Sequence, residues 1–133
     1  MTEIYPRKVS QEAVLTFTTP PFSANAIWRS FKGRNIKSRE YRDWIIAAGK
    51  ELEAQSPGCV PGPFGVRIAL ANTVRMDCDN AIKPIVDLLR LHNVIEGDSK
   101  KYMRKCESGH SELSSVTTVW VISTKGAKND DSL

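Results

Sequence analysis

The run SREYRDWIIAAGKELEAQSPGCVPGPFGVRIAL, residues 38–70, decides the architecture. Tyr41, Trp44, Ile45, Ala48 and Leu52 recur at three- and four-residue spacing, which lines one face of a helix with apolar side chains. Ser38 suits the N-cap, where its hydroxyl can satisfy a free backbone N–H. The helix is expected to run to about Gln55 and to stop before Pro57-Gly58. Residues 56–63 hold three prolines and two glycines, a rigid loop. FGVRIAL, residues 64–70, then alternates apolar and polar, the mark of a strand with one buried face. An amphipathic helix leading into an amphipathic strand predicts helix packed on sheet.

Working outward, AVLTFT over residues 13–18 reads as a strand ended by Pro20-Pro21. Residues 22–37 are polar and basic around Gly33, a loop or loose hairpin. Residues 77–83 form a polar junction. A second helix follows to about His92, with Pro84 in its first turn, where no N–H is needed. A turn over 93–98 contains Gly97, a strand covers 101–107, and Gly109 marks a further turn. SVTTVWVIS, residues 115–123, is the clearest strand. The order β-α-β-α-β-β predicts the α+β class (mixed α/β): one compact domain over 1–126, a small mixed sheet with two packed helices, and a flexible tail over 127–133.

The chain has 133 residues, 41% hydrophobic and 26% charged, an ordinary balance for one globular domain. The first ten residues have no apolar core of the signal-peptide kind, and no stretch approaches the roughly 20 apolar residues of a membrane span. A soluble, cytoplasmic protein without membrane partners is expected. Cys59, Cys78 and Cys106 form no C-x-x-C pair, which favours reduced, buried thiols over zinc or disulfides. The net charge is +4, but its placement is more informative than its size. Arg29, Lys32, Arg34, Lys37, Arg39 and Arg42 face a single acid, Glu40, within residues 29–42, and Lys100, Lys101, Arg104 and Lys105 form a second group. Clustered positive charge is an electrostatic footprint for nucleic acid, although its ordinary role is a solvated face.

The chemistry concentrates in RMDCDNAIK, residues 75–83. If the backbone there is extended, Asp77 and Asp79 point to the same side. Carboxylate oxygens suit a hard divalent cation. Asp98 supplies a third, provided the loop from Asn93 carries it back. Lys83 lies one helical turn beyond Asp79, where an ammonium can balance phosphate charge or protonate a leaving oxygen. Asp87 is placed to orient Lys83 as an i,i+4 partner, and Asn80 is either a cap or a supporting group. Taken singly these residues have plainer readings: Asp77 and Asp79 as turn and N-cap, Asp98 as a turn residue, Lys83 as a surface lysine. An EF-hand starting at Asp77 fails at Ile82 and Leu88, and there is no P-loop or dinucleotide-binding glycine pattern, hence no nucleotide cofactor.

The set Asp77-x-Asp79-Asn80-x-x-Lys83, then Asp87-x-Leu89, then Asp98, resembles the signature of the RusA family of Holliday junction resolvases. Upstream, Pro20-Pro21 with Asn25, Trp28 and Arg29 is similar to that family's P-P-S-x-N-x-x-x-R segment. The resemblance implies a homodimeric, Mg²⁺-dependent endonuclease, with Mn²⁺ as a substitute, that cuts four-way DNA junctions in recombination and repair. It implies Asp77, Asp79 and Asp98 as metal ligands and Lys83 as the catalytic lysine. Arg29, Lys32, Arg34, Lys37, Arg75, Lys100 and Lys101 are the expected DNA contacts, with Trp28 a candidate for stacking on a base. Two positions depart from the pattern: Gly97 stands where many relatives carry a second acid, and Met76 where many carry a base. The rival expectations are a nuclease for forks or flaps, a non-catalytic junction-binding protein, and an acidic site for nucleotides or RNA.

Overall fold

A computed structural model describes residues 7–124, and the tail expected over 127–133 lies outside them. The described chain is a single α+β domain. Strand β1 (Glu12–Phe17) leads to a 3₁₀ turn at Ala24–Ala26 and to a hairpin of β2 (Trp28–Phe31) and β3 (Arg34–Lys37). Helix α1 (Arg39–Ala54), strand β4 (Phe64–Leu70), a 3₁₀ turn at Cys78–Ala81, helix α2 (Ile82–Leu91), β5 (Met103–His110) and β6 (Thr117–Ser123) complete it. The expected order therefore holds, with the ambiguous segment folded as a hairpin.

The main sheet has the order β1-β6-β4-β5. β6 runs antiparallel to both neighbours, whereas β4 and β5 are parallel and need the crossover that α2 provides. Register explains the sequence pattern. Leu15, Val119 and Ile68 lie side by side across three strands, as do Ala13, Val121 and Val66, and all six are buried. Both helices pack on that face through Tyr41, Trp44, Ala48, Leu52, Ile85, Val86, Leu88 and Leu89. Truncating a fully buried side chain such as Leu15 to alanine should cost about 2–5 kcal/mol. The opposite face carries Val14, Trp120, Arg67 and Glu107 in one row, and among the described residues neither helix packs on it. Among the described residues no helix is long and apolar enough to cross a membrane.

Three local expectations are corrected. Gly109 lies inside β5 opposite Ala69 rather than in a turn, and a Cβ there would touch nothing within 4 Å, so no packing demands a larger residue. β5 itself starts later and ends later than the expected 101–107, since this edge strand shows little alternation in burial. The cysteines are free thiols, but only partly buried. Burial pushes the Cys59 and Cys106 thiols up, away from the reactive thiolate.

Candidate functional site

The chain between β4 and α2 enters the site from the end of the central sheet. Asp77 has extended backbone and stands before the 3₁₀ turn, where its side chain makes no capping hydrogen bond. The Asn80 N–H donates to the Asp77 carbonyl at 3.1 Å, which tightens the turn. Asp79 lies inside that turn, so the expectation of one extended segment presenting both carboxylates is corrected: the backbone coils between them. Both aspartates are exposed, and Asn80 is partly buried. The turn packs against β5, α2 and the upstream turn at Ala24–Ala26, which brings Asn25 and the Asp79 segment into one neighbourhood. His110, at the end of β5, holds a ring nitrogen 2.9 Å from the Met76 carbonyl and ties down the backbone ahead of Asp77.

Lys83 is the hub of the site. Its Nζ lies 3.0 Å from Asp87 and 3.8 Å from Asp98. Asp98 is thus brought back to the start of α2, the one placement that spacing alone left open. The return has visible causes. Val94 and Ile95 are buried in the core, and the Val60 N–H donates to the Val94 carbonyl at 2.8 Å. The Tyr102 and Met103 N–H groups both reach the Ser99 carbonyl at 2.9 Å, closing a turn directly after Asp98. The Tyr102 ring then fills the space beside Gly62 and Gly97: a Cβ on either glycine would come within 2.9 Å of a Tyr102 atom. Gly97, the departure noted above, is therefore the residue that lets this ring close over the loop.

Asp87 does more than pair with Lys83. Its other oxygen accepts a hydrogen bond from the Tyr41 hydroxyl at 3.4 Å, and Arg90 stands 3.6 Å away. Tyr41 is fully buried, and burial, reinforced by the charge of Asp87, pushes its phenol up to about 12. Lys37 lies 5.8 Å from the Tyr41 ring and 6.0 Å from the Trp28 ring. A continuous chain of contacts therefore runs from the hairpin through Lys37, Tyr41 and Asp87 to Lys83 and Asp98. Periodicity alone read Tyr41 as a core residue, and nothing around His110 marked it; only proximity in the fold exposes either.

The predicted DNA contacts divide by location. Arg29, Lys32, Arg34 and Lys37 are all exposed on the hairpin, and among the described residues no carboxylate lies within ion-pair distance of them. Arg39, by contrast, pairs weakly with Asp43 at 3.9 Å. Arg75 is exposed and lines an open cleft of about 350 Å³ with Thr18, Thr19, Pro21, Met76 and Thr117. Lys100 and Lys101 are exposed just beyond Asp98, with Lys101 over the Tyr102 ring. The cleft wall is fixed by Glu51, whose carboxylate accepts from the Thr18 N–H and hydroxyl, each at 2.8 Å, and from the Thr19 N–H at 2.7 Å, as well as from the Thr19 hydroxyl. Partial burial works against ionisation, but these bonds outweigh it and hold Glu51 down to about 2.

The three aspartates supply oxygen chemistry suited to a hard divalent cation. Among the described residues, however, no three His, Cys, Asp or Glu side chains converge closely enough to hold a metal ion as they stand. Asp98 instead faces the ammonium of Lys83. The chain matches no known family model, and no curated protein matches it.

Proposed function

We propose that this protein is a Mg²⁺-dependent, structure-specific endonuclease that acts on four-way DNA junctions as a homodimer. The observation that carries the reading is the gathering of Lys83, Asp87 and Asp98 at the start of α2, next to the turn bearing Asp77 and Asp79 and linked by contacts to an exposed basic hairpin. The resemblance to the RusA signature supports it at the same residues. Asp77, Asp79 and Asp98 would hold the cation, which supplies an activated water and charge neutralisation at the phosphate. Lys83 balances the negative charge that develops on the phosphate oxygens, or delivers a proton to the leaving oxygen. Asp87, 3.0 Å from the Lys83 ammonium, fixes the direction of that side chain. The hairpin and Arg75, Lys100 and Lys101 hold phosphates, contacts that position DNA without reading its sequence. A two-fold dimer would present two such sites to a junction of matching symmetry; the sheet face that carries Val14 and Trp120 offers apolar side chains for that pairing.

The deciding experiment is cleavage of a labelled synthetic four-way junction, against linear duplex and fork controls, with and without Mg²⁺, for wild type and Asp79→Asn. Paired nicks in the junction that need both metal and Asp79 are expected. Preferential cutting of forks would move the substrate to other branched DNA. The separation of the carboxylates favours a second reading, a junction-binding protein that does not cut. Tight junction binding without any cut in Mg²⁺ or Mn²⁺ would establish it and remove the nuclease.

A further inference from the structure

The hairpin of β2 and β3 turns through Lys32 and Gly33, both at positive φ (51° and 76°), the turn that matches the natural twist of two strands. A ribbon of two strands is barely stable by itself. This one is held at its base, where the Ser38 N–H donates to the Ile27 carbonyl at 2.7 Å and the Ser38 hydroxyl donates to the Ala26 carbonyl at 2.7 Å. Beyond that anchor every residue of β2 is exposed. Two of them are large aromatics: Trp28 is 56% exposed and Phe31 49%.

Register sets their directions. Residues opposite one another share a face and neighbours in sequence alternate. Trp28, opposite Lys37, therefore lies on one face of the ribbon, and Phe31, opposite Arg34, lies on the other. Each ring also has a cation beside it: Lys37 Nζ is 6.0 Å from the Trp28 ring, and Lys32 Nζ is 5.3 Å from the Phe31 ring. The rings thus stay exposed within a group of four basic residues, Arg29, Lys32, Arg34 and Lys37, that meet no carboxylate among the described residues.

Aromatic faces interleaved with cations match unpaired nucleotides, whose bases stack on the rings while their phosphates meet the charges. Bases inside a duplex are already stacked on both sides and offer no free face. Bases at a branch point do. We propose that the hairpin is a wedge that reads the branch point of DNA: it enters between the arms, with an unstacked base on Trp28 at one face and another on Phe31 at the other, and with Arg29, Lys32, Arg34 and Lys37 on the flanking phosphates. The proposal deepens the junction reading above and rests on it, and it names the feature of the junction that is recognised.

The test places 2-aminopurine next to the crossover of a four-way junction, and in a linear duplex of the same sequence, without metal. Wild-type protein should change the probe's fluorescence in the junction and leave it unchanged in the duplex. Trp28→Ala and Phe31→Ala should each abolish most of that change and weaken junction binding by about 5- to 150-fold. Duplex affinity should move by no more than about two-fold, because the phosphate contacts remain. Trp28→Tyr, which keeps a stacking face, should retain the signal. A fluorescence change that persists in both alanine variants, or an equal loss of duplex and junction binding, overturns the wedge. So does intact junction binding in variants that lose adhesion to anionic vesicles or self-association, since the rings would then serve a membrane or a second copy. Cutting of the same junction by wild type in Mg²⁺ separates the two proposals: a probe signal without cleavage retains the wedge and removes the nuclease, whereas cleavage without a probe signal does the reverse.

Discussion

Replacing Glu51 with glutamine should weaken the fold in a way that depends on pH. The native carboxylate takes hydrogen bonds from both the N–H and the hydroxyl of Thr18 and of Thr19. They lower its pKa from 4.5 to about 2. Such a drop has a ceiling of roughly 3.4 kcal/mol. Solvent reaches the carboxylate, and screening reduces the expected contribution to about 1–2 kcal/mol. Because the folded pKa is the lower one, this stability is complete above the unfolded value of 4.5 and is lost as pH falls towards about 2. Glutamine keeps one acceptor oxygen but carries no charge. Urea unfolding of wild type and Glu51→Gln should therefore differ by about 1–2 kcal/mol at pH 7, or about 0.5–1 M in midpoint for an ordinary slope. More than half of the gap should be gone by pH 3. An equal gap at pH 7 and pH 3 would show that the charge plays no part, and no gap at pH 7 would refute the clamp itself. Since Thr18 and Thr19 wall the cleft beside Arg75, Glu51→Gln should also raise the Kd for DNA more than it slows cutting.

Asp87→Ala should cost about 1–2 kcal/mol, read as a fall in Tm, because it strips the partner from a fully buried Tyr41 hydroxyl and leaves Lys83 and Arg90 facing each other. In a cycle with Tyr41→Phe the two changes should be non-additive; strict additivity would deny the contact. Neutralising the hairpin as Arg29→Ala, Lys32→Asn and Arg34→Ala should lower the salt slope of junction binding by roughly 2.7, so that raising salt from about 50 to 200 mM costs wild type about 40-fold more affinity than the variant. An unchanged slope would place the phosphates elsewhere. Gly97→Ala should destabilise by about 1–3 kcal/mol, because its Cβ would come within 2.9 Å of the Tyr102 ring; a melt within about 0.5 kcal/mol of wild type would mean that the ring moves aside freely.

The parts of the molecule that were legible in sequence are those where one face is buried. The α1 stripe, the alternation of β4 and the β-branched run of β6 each reflect a core side and a solvent side. The hairpin was ambiguous because β2 is exposed on both faces and offers no period to read. The ends of β5 were displaced for the same reason, at an edge of the sheet. In the site, the pairing of Lys83 with Asp87 followed from helical spacing, since both lie on α2 four residues apart. The coil between Asp77 and Asp79 did not, because a 3₁₀ turn is set by packing against β5 and α2 rather than by local composition. Nor did the return of Asp98, which depends on Tyr102 finding room beside two glycines far apart in the chain. Tyr41 was legible as core but not as the link between the hairpin and Asp87, because a helical stripe says nothing about what a phenol oxygen meets.

The position of β6 has a consequence for how the protein comes into being. This strand, the last of the described strands in chain order, lies in the interior of the sheet, and among the described residues the ladder of β1 is made to it. A chain that ends before Thr117 has β1 with no strand neighbour among the described residues and β4 with one open edge, although the hairpin, α1 and α2 all precede it in sequence. Pairing Glu12 with Ile122 closes a loop of more than 100 residues, the kind of distant contact that slows folding. The edges of β1 and β4 that pair with β6 must therefore stay without their ladder partners until residue 123 has emerged, even though both helices that cover the apolar face of the sheet come earlier in the chain.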